Sequence, residues 1–242
     1  LNVDATQRLL AAAATAGVKR FVYFSSVQAA GKPGKHCADE SWQAPPDNLY
    51  GQSKLAAEAL VAQTGQEAPM HTAILRPALV YGPGVKGNLQ RMLQAIERGR
   101  MPALPDSGQQ RSMLALDNLV DAACLAMDCD AANGRTYIVC DEQSYSTRWI
   151  FEAMHSALDR PLPKHTLPLG LFKLAAHIGD FGNKLTNNAM PWDSAAYERL
   201  FGGACYNAAR LQTELGWRPA TNFAQCLPAM VQAMQTRTDK YR

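Results

Sequence analysis

No apolar run in this 242-residue chain is long and uncharged enough to read as a membrane-spanning helix, and none has the layout of a secretory signal. Stable insertion into a bilayer is therefore not expected. The six cysteines, Cys37, Cys124, Cys129, Cys140, Cys205 and Cys226, contain no Cys-x-x-Cys pair. That spacing argues against a zinc site or a thioredoxin-like redox motif. A core of this size needs no covalent staples, so the cysteines read as reduced thiols of a cytoplasmic protein. His36, His71, His155, His165 and His177 show no metal-ligand spacing, and no metal is expected. Charge of one sign is not concentrated either. The net charge is +3 with the basic residues dispersed, which excludes a nucleic-acid-binding stripe. The last absence concerns glycine: within the first thirty residues the only one is Gly17, so no glycine-rich nucleotide loop opens the chain.

What is present is a 47% hydrophobic chain, enough for one compact domain or one core with a smaller lobe. An alanine-rich amphipathic helix is expected over residues 1–16, with Gly17 as its stop. The chain begins with Leu1 and not methionine, already inside that helix, so it is expected to be the later part of a longer architecture. Phe21 to Phe24 are four consecutive large apolar residues and read as a buried strand that ends at Ser25-Ser26. Residues 30–47 hold five Gly or Pro and read as a loop. Residues 50–63 are helical, with Leu55, Ala59 and Leu60 as the expected core face. Residues 72–77 form a second buried strand ended by Pro77. Helices follow at 88–98 and 117–127, a strand at 135–141, and a helix at 147–158 capped by Ser146. Beyond residue 161 only helices and loops are evident. Alternation of this kind implies a parallel sheet covered on both faces.

The chemistry concentrates at Tyr50-Gly-Gln-Ser-Lys54. A free tyrosine titrates near ~10 and is a poor base at neutral pH. A lysine four residues later on a helix lies one turn away and favours the phenolate. A serine hydroxyl at the end of a neighbouring strand can bond the reacting oxygen. Together the three can remove a carbinol proton while a hydride leaves the same carbon. The plainer reading is that Lys54 pairs with Glu58 on an exposed helix face.

The surrounding residues decide between these readings. Asn2-Val3-Asp4-Ala5-Thr6, the strand ending in Ser25-Ser26, Asp39-Glu40 ahead of Tyr50-Gly-Gln-Ser-Lys54, Leu75-Arg76-Pro77 through Val80-Tyr81-Gly82-Pro83-Gly84, Arg111-Ser112-Met113 before Asp117-Asn118-Leu119, and Leu215-Gly216-Trp217-Arg218-Pro219 follow one another in order. This series resembles the extended short-chain dehydrogenase/reductase family, specifically its nucleotide-sugar epimerase/dehydratase group. The resemblance implies a Rossmann-like, doubly wound parallel α/β sheet with its first strands missing, plus a smaller helix-rich C-terminal substrate lobe. Residues 1–82 and 112–141 would form the NAD(P)-binding part, and residues 83–111 and 142–242 the substrate lobe. Tyr50 would be the catalytic acid/base. Lys54 would lower its pKa and hold the nicotinamide ribose. Ser26 would be the hydroxyl partner that touches substrate, with Ser25 beside the cofactor. Pro77 and Ala78 would line the nicotinamide pocket, and Asn88 and Arg111 would hold the diphosphate of a nucleotide sugar. The cofactor implied is NAD, with NADP as the alternative. The implied assembly is a homodimer that uses the Tyr50 helix.

Two departures and one decoy refine this. Gly82-Pro83-Gly84-Val85-Lys86-Gly87 spells G-x-G-x-x-G, but no acidic residue follows at the end of a second strand, and the resemblance puts the turn on the substrate side. The family's dinucleotide loop would precede Leu1, so the chain as written is expected to lack most of its cofactor grip. Leu79 stands where many members carry asparagine. Ser26 is followed by Val27-Gln28-Ala29, without the carboxylates of the dehydratase and decarboxylase branches and without the cysteine of the fucose-synthase branch. The reaction left by the resemblance is 4-epimerization of a UDP-hexose through a transient 4-keto sugar. The alternatives are a 4-keto-sugar reductase or dehydrogenase, or a non-catalytic NAD(P)-binding regulatory protein. An amphipathic stretch at 167–185 reads as a helix packed over the substrate cleft in preference to a membrane contact, because its basic residues are few.

Overall fold

The computed structural model describes residues 2–33, 36–186 and 192–239. The chain forms two compact units: residues 1–81, 112–143 and 205–223 make the first, and residues 82–111, 144–204 and 224–242 the second. Residues 205–223, which the resemblance implies for the substrate lobe, pack with the first unit.

The first unit is built on a parallel sheet of β1 (Arg20–Phe24), β2 (His71–Pro77) and β5 (Arg135–Val139), in the order β1-β2-β5. The register pairs Phe24 with Leu75 and Pro77 with Val139. Side chains alternate across the sheet, and this sorts the helices onto its two faces. Phe21, Tyr23 and Ile74 point to one face, where they meet Leu10 and Ala13 of α1 (Asn2–Thr15) and Val61 of α2 (Leu49–Glu67). Arg20 and His71 point to the other, where they reach Met127 O and Ala126 O of α4 (Leu116–Asp128). The sheet is therefore wound on both sides, as the alternation of elements implies. Short strands β3 (Leu79–Tyr81) and β4 (Gln110–Ala115) pair in parallel, with Leu79 opposite Met113. No sequence signal marked them, because three to six residues carry too little periodicity. The second unit holds β6 (Ser144–Ser146) and helices α3 (Asn88–Glu97), α5 (Thr147–Ala157), α6 (Leu169–Thr186), α7 (Ser194–Phe201) and α9 (Phe223–Asp239). The first unit also carries α8 (Ala209–Leu215). Ser146 caps α5 by accepting from Trp149 N at 3.1 Å.

Several expectations change. The first helix ends at Thr15, Gly17 follows with φ 68°, and Leu1 lies outside the described residues. Strand β1 is only half-buried, and Phe24 is 45% exposed. Among the described residues β1 is paired on one edge only, so its apolar run has less cover than β2, where residues 72–75 are all buried. The core face of α2 is Ala57, Glu58 and Val61, while Leu55 is exposed. Alanines and polar residues surround this helix evenly, so its sequence carries no clear sidedness.

Two of the six cysteines are also corrected, while Cys124, Cys129, Cys140 and Cys226 remain thiols. Cys37 and Cys205 form a disulfide with 4.4 Å between their Cα atoms. The reason is local pairing: Ala38 N donates to Cys205 O and Asn207 N donates to Ala38 O, both at 2.9 Å, which sets the two cysteines side by side. Their 168-residue separation hides this from the sequence. A link over so long a loop constrains the unfolded chain, so reduction is expected to lower stability by about 2–4 kcal/mol. Thermal melts with and without dithiothreitol, with thiol counting by mass spectrometry, check it. An unchanged melting point after complete reduction would contradict the expectation.

Candidate active site

Ser25, Ser26, Lys54, Pro77 and Ala78 gather at the C-terminal edge of the parallel sheet, the edge where open α/β sheets present their crevice. Ser25 and Ser26 follow β1 directly, and Ser25 N donates to Leu75 O at 2.7 Å. The chain then turns through a 3₁₀ segment, Val27–Ala30, which Ser26 caps: its Oγ accepts from Gln28 N at 3.2 Å. Asn48 caps α2 in the same manner, accepting from Gly51 N at 2.8 Å. Gly51 is what lets these two segments touch. A Cβ there would run into Gln28 O and would meet Pro46 at 3.0 Å. The residue between Tyr50 and the rest of the motif is thus glycine for a steric reason, and the close approach sets the start of α2 against the turn after Ser26.

Lys54 does not pair with Glu58 on an exposed face. Its Nζ donates to Phe24 O at 2.7 Å and stands 5.0 Å from the centroid of the Tyr23 ring and 5.9 Å from that of Tyr50. Both rings are within cation–π range. Burial pulls the Lys54 ammonium below its ordinary pKa, with the charge of Glu58 working in the other direction. The two phenols differ in exposure. Burial pushes Tyr23 up, chiefly by desolvation, with a smaller opposing contribution from Thr6, so Tyr23 keeps its proton. Tyr50 is 46% exposed and is the phenol within reach of a ligand.

Glu58 has a different role, one that spacing alone does not reveal. It is 5% exposed and is held side-on by Arg76, with Nε to Oε1 at 2.9 Å and Nη2 to Oε2 at 2.7 Å. Ser25 Oγ also donates to Glu58 Oε1. The carboxylate thus ties the end of β1, the middle of α2 and the end of β2 together through charge-assisted bonds. Ser25 has its proton committed to Glu58, whereas Ser26 Oγ accepts from the backbone and retains its own proton to donate. The signal for this network was a lone arginine inside the apolar run of β2, followed by proline.

Pro77 closes β2, and Ala78 N donates to Val139 O at 2.9 Å, which places both at the same sheet edge as Ser26. Leu79 is 42% exposed. Asn88 and Arg111 belong to the second unit. Asn88 is the exposed first residue of α3, directly after Gly87, whose φ is 78°. Arg111 directs Nη1 to Arg199 O and Nη2 to Gly202 O, both at 2.8 Å, so two of its donors already hold backbone carbonyls. Burial lowers the Arg111 pKa, against the opposing charge of Glu198. The Gly82–Gly87 turn leads into α3 in this second unit. Asp39-Glu40, conspicuous in sequence, is structural at Glu40: the carboxylate accepts from Ile138 N at 2.8 Å and lies 3.6 Å from Arg210. Among the described residues no cluster of His, Cys, Asp and Glu is arranged to hold a metal ion.

A family model described as the NAD dependent epimerase/dehydratase family matches residues 1–140. A UDP-glucose 4-epimerase of Vibrio cholerae is 30% identical, over 96% of this chain and 70% of its own length. An N-acetyl-alpha-D-glucosaminyl-diphospho-ditrans,octacis-undecaprenol 4-epimerase of Escherichia coli O157:H7 is 26% identical, over 88% of this chain and 65% of its own. Among solved structures, RMD from Pseudomonas aeruginosa complexed with NADPH superposes with a TM-score of 0.75 at 22% identity, over 98% of this chain and 73% of that one. A UDP-glucose 4-epimerase of Thermotoga maritima with UDP-glucose gives 0.75 at 19% identity, over 98% and 70%. At these identities the two structures establish a shared fold.

Proposed function

The chain belongs to the NAD dependent epimerase/dehydratase family, and from that premise we propose that it serves 4-epimerization of a hexose carried on a diphosphate, with a UDP-hexose as the preferred substrate. The observation that carries this reading is the arrangement of Tyr50, Lys54 and Ser26 at one sheet edge, without a carboxylate beside Ser26 to drive dehydration. The residues present fit the nicotinamide-ribose end of a dinucleotide. The Lys54 ammonium has three donors, and one holds Phe24 O, which leaves two directed away from the strand. Pro77 and Ala78 offer small apolar side chains at the same edge. When bound, the nicotinamide supplies the hydride acceptor and donor. Tyr50 takes the proton from the sugar hydroxyl and later returns it. Ser26 donates to the same oxygen and orients it. Lys54 provides positive charge beside the phenol and holds its own position through Phe24 O. Asn88 and Arg111 are assigned to the diphosphate, where a planar guanidinium suits paired oxygens.

The two relatives named above act on a UDP-sugar and on a sugar carried by undecaprenyl diphosphate, and a hexose on a diphosphate is common to both. The test incubates the protein with UDP-glucose or UDP-galactose and, separately, with a polyprenyl-diphosphate-linked sugar, and resolves the products by chromatography. Epimer formation without net nicotinamide consumption is the expected result. Stoichiometric consumption of NAD(P)H would replace the epimerase reading with a reductase. No turnover on any diphosphate-linked sugar by protein shown to hold bound NAD would overturn it.

A further inference from the structure

The stretch at 167–185 forms α6 as far as it is described, but its apolar side is not packed. Leu171, Leu174, Ile178 and Phe181 are 51%, 56%, 62% and 65% exposed. Their spacing, three, four and three residues apart, puts them in one stripe along the helix. The opposite side is firmly held. Ala176 is fully buried, and Phe172 stacks edge-on against Phe201 with centroids 5.1 Å apart. A Cβ on Gly179 would run into the Trp192 carbonyl, and Asp180 accepts from Ser194 N at 3.0 Å. The helix is therefore fixed against α7 by one face and presents four large apolar side chains on the other. The expectation that this stripe packs is corrected: small residues and the aromatic Phe172, and not the leucines, supply the inner face.

The charge beside the stripe is basic. Lys173 and His177 of α6, and Lys164 and His165 just before it, are all exposed. The second unit carries fourteen Lys and Arg against eight Asp and Glu, although the whole chain is nearly neutral at +3. Asp180, the acidic residue of α6, is turned inward to Ser194, with the His177 ring 4.0 Å away. No described helix is long and apolar enough to cross a membrane, so the contact this pattern suits is with a surface. We propose that α6 docks on an anionic lipid bilayer, with Leu171, Leu174, Ile178 and Phe181 entering the headgroup boundary and the flanking basic residues meeting lipid phosphates. A held helix with an apolar stripe has the geometry of an interfacial anchor, and Lys164 and Lys173, exposed beside it, supply the positive charge. The inference does not depend on which sugar the active site takes.

The experiment is flotation of the full chain with vesicles of equal parts phosphatidylglycerol and phosphatidylcholine, and with pure phosphatidylcholine. The wild type is expected to float with the anionic vesicles, less with the neutral ones, and less again as salt screens the charges. The variant L174S/I178S should bind the anionic vesicles at least about tenfold more weakly, since two large apolar side chains leave the interface. Both side chains are exposed, so far-UV circular dichroism and the melting point should match the wild type, and epimerase turnover on a soluble UDP-hexose should be retained. A wild type that does not float, or a variant that floats equally well, overturns the proposal. So does a wild-type dimer by light scattering that the variant converts to monomer without any vesicle binding, because the stripe would then join two copies of the chain.

Discussion

Replacing Tyr50 by Phe is expected to lower kcat by about 10²–10⁴-fold, the range a positioned acid–base group contributes. Only a hydroxyl is removed, and from a side chain that is 46% exposed, so the fold should be unaffected. The ring remains 5.9 Å from Lys54 Nζ, so the ammonium keeps its aromatic neighbour and its bond to Phe24 O. Ser26 and the capped turn behind it are untouched. The loss should therefore appear in kcat, with KM for the diphosphate sugar changed little, because binding of the diphosphate is assigned elsewhere. Steady-state kinetics with circular dichroism as the folding control measures this. Turnover within a few-fold of wild type would remove Tyr50 from the chemistry. Tyr23 then becomes the instructive control. It is the other phenol beside Lys54, but burial raises its pKa, and Tyr23→Phe should leave kcat largely intact.

The second large effect is on stability. Arg76→Ala should cost about 3–5 kcal/mol, the usual penalty for leaving one partner of a buried ion pair alone. The side chains of Arg76 and Glu58 are 12% and 7% exposed, so solvent cannot replace the missing guanidinium. Glu58 would retain only Ser25 among the partners described above, and the three segments joined there would loosen together. Glu58→Gln should cost less, since an amide can still accept from Ser25 while losing the charge attraction to Arg76. The double variant E58M/R76L removes both charges and fills the space with apolar atoms, and should recover much of the loss. Urea unfolding midpoints for the four proteins decide the matter. If Arg76→Ala unfolds at the wild-type midpoint, the pair does not hold the sheet edge.

The approach of Tyr50 to Lys54 in the candidate site was legible because its signal is local. Tyr50 and Lys54 are four residues apart on a helix, and that spacing alone puts an ammonium near a phenol. Strand β2 announces itself by an apolar run closed by proline. The core side of α2 was misread because alanines on all sides give no moment, and Glu58, a charged residue, is one of the buried positions. The exposure of Leu171 to Phe181 was misread for the opposite reason. A clean amphipathic pattern says which residues share a face and nothing about what lies against it. The pairing of Cys37 with Cys205 depends on a bridge between segments 168 residues apart, beyond any local pattern.

By itself the sequence determined the type and order of the longer elements around the candidate site, the residues proposed to carry the proton chemistry, and the absence of a carboxylate next to Ser26. The elements follow from periodicity and turn chemistry, which act over a few positions, and the proposed roles follow from residue type together with the family resemblance of the surrounding motifs. Only the tertiary structure decided which serine has a proton to offer, because that depends on Glu58 and Arg76 arriving from other elements to engage Ser25. It likewise decided that Lys54 reaches Phe24 O and not Glu58, and that the leucines of α6 face outward. Each of these is a choice among partners of similar chemistry, and the choice is made by which groups the packed chain brings within hydrogen-bonding or van der Waals distance.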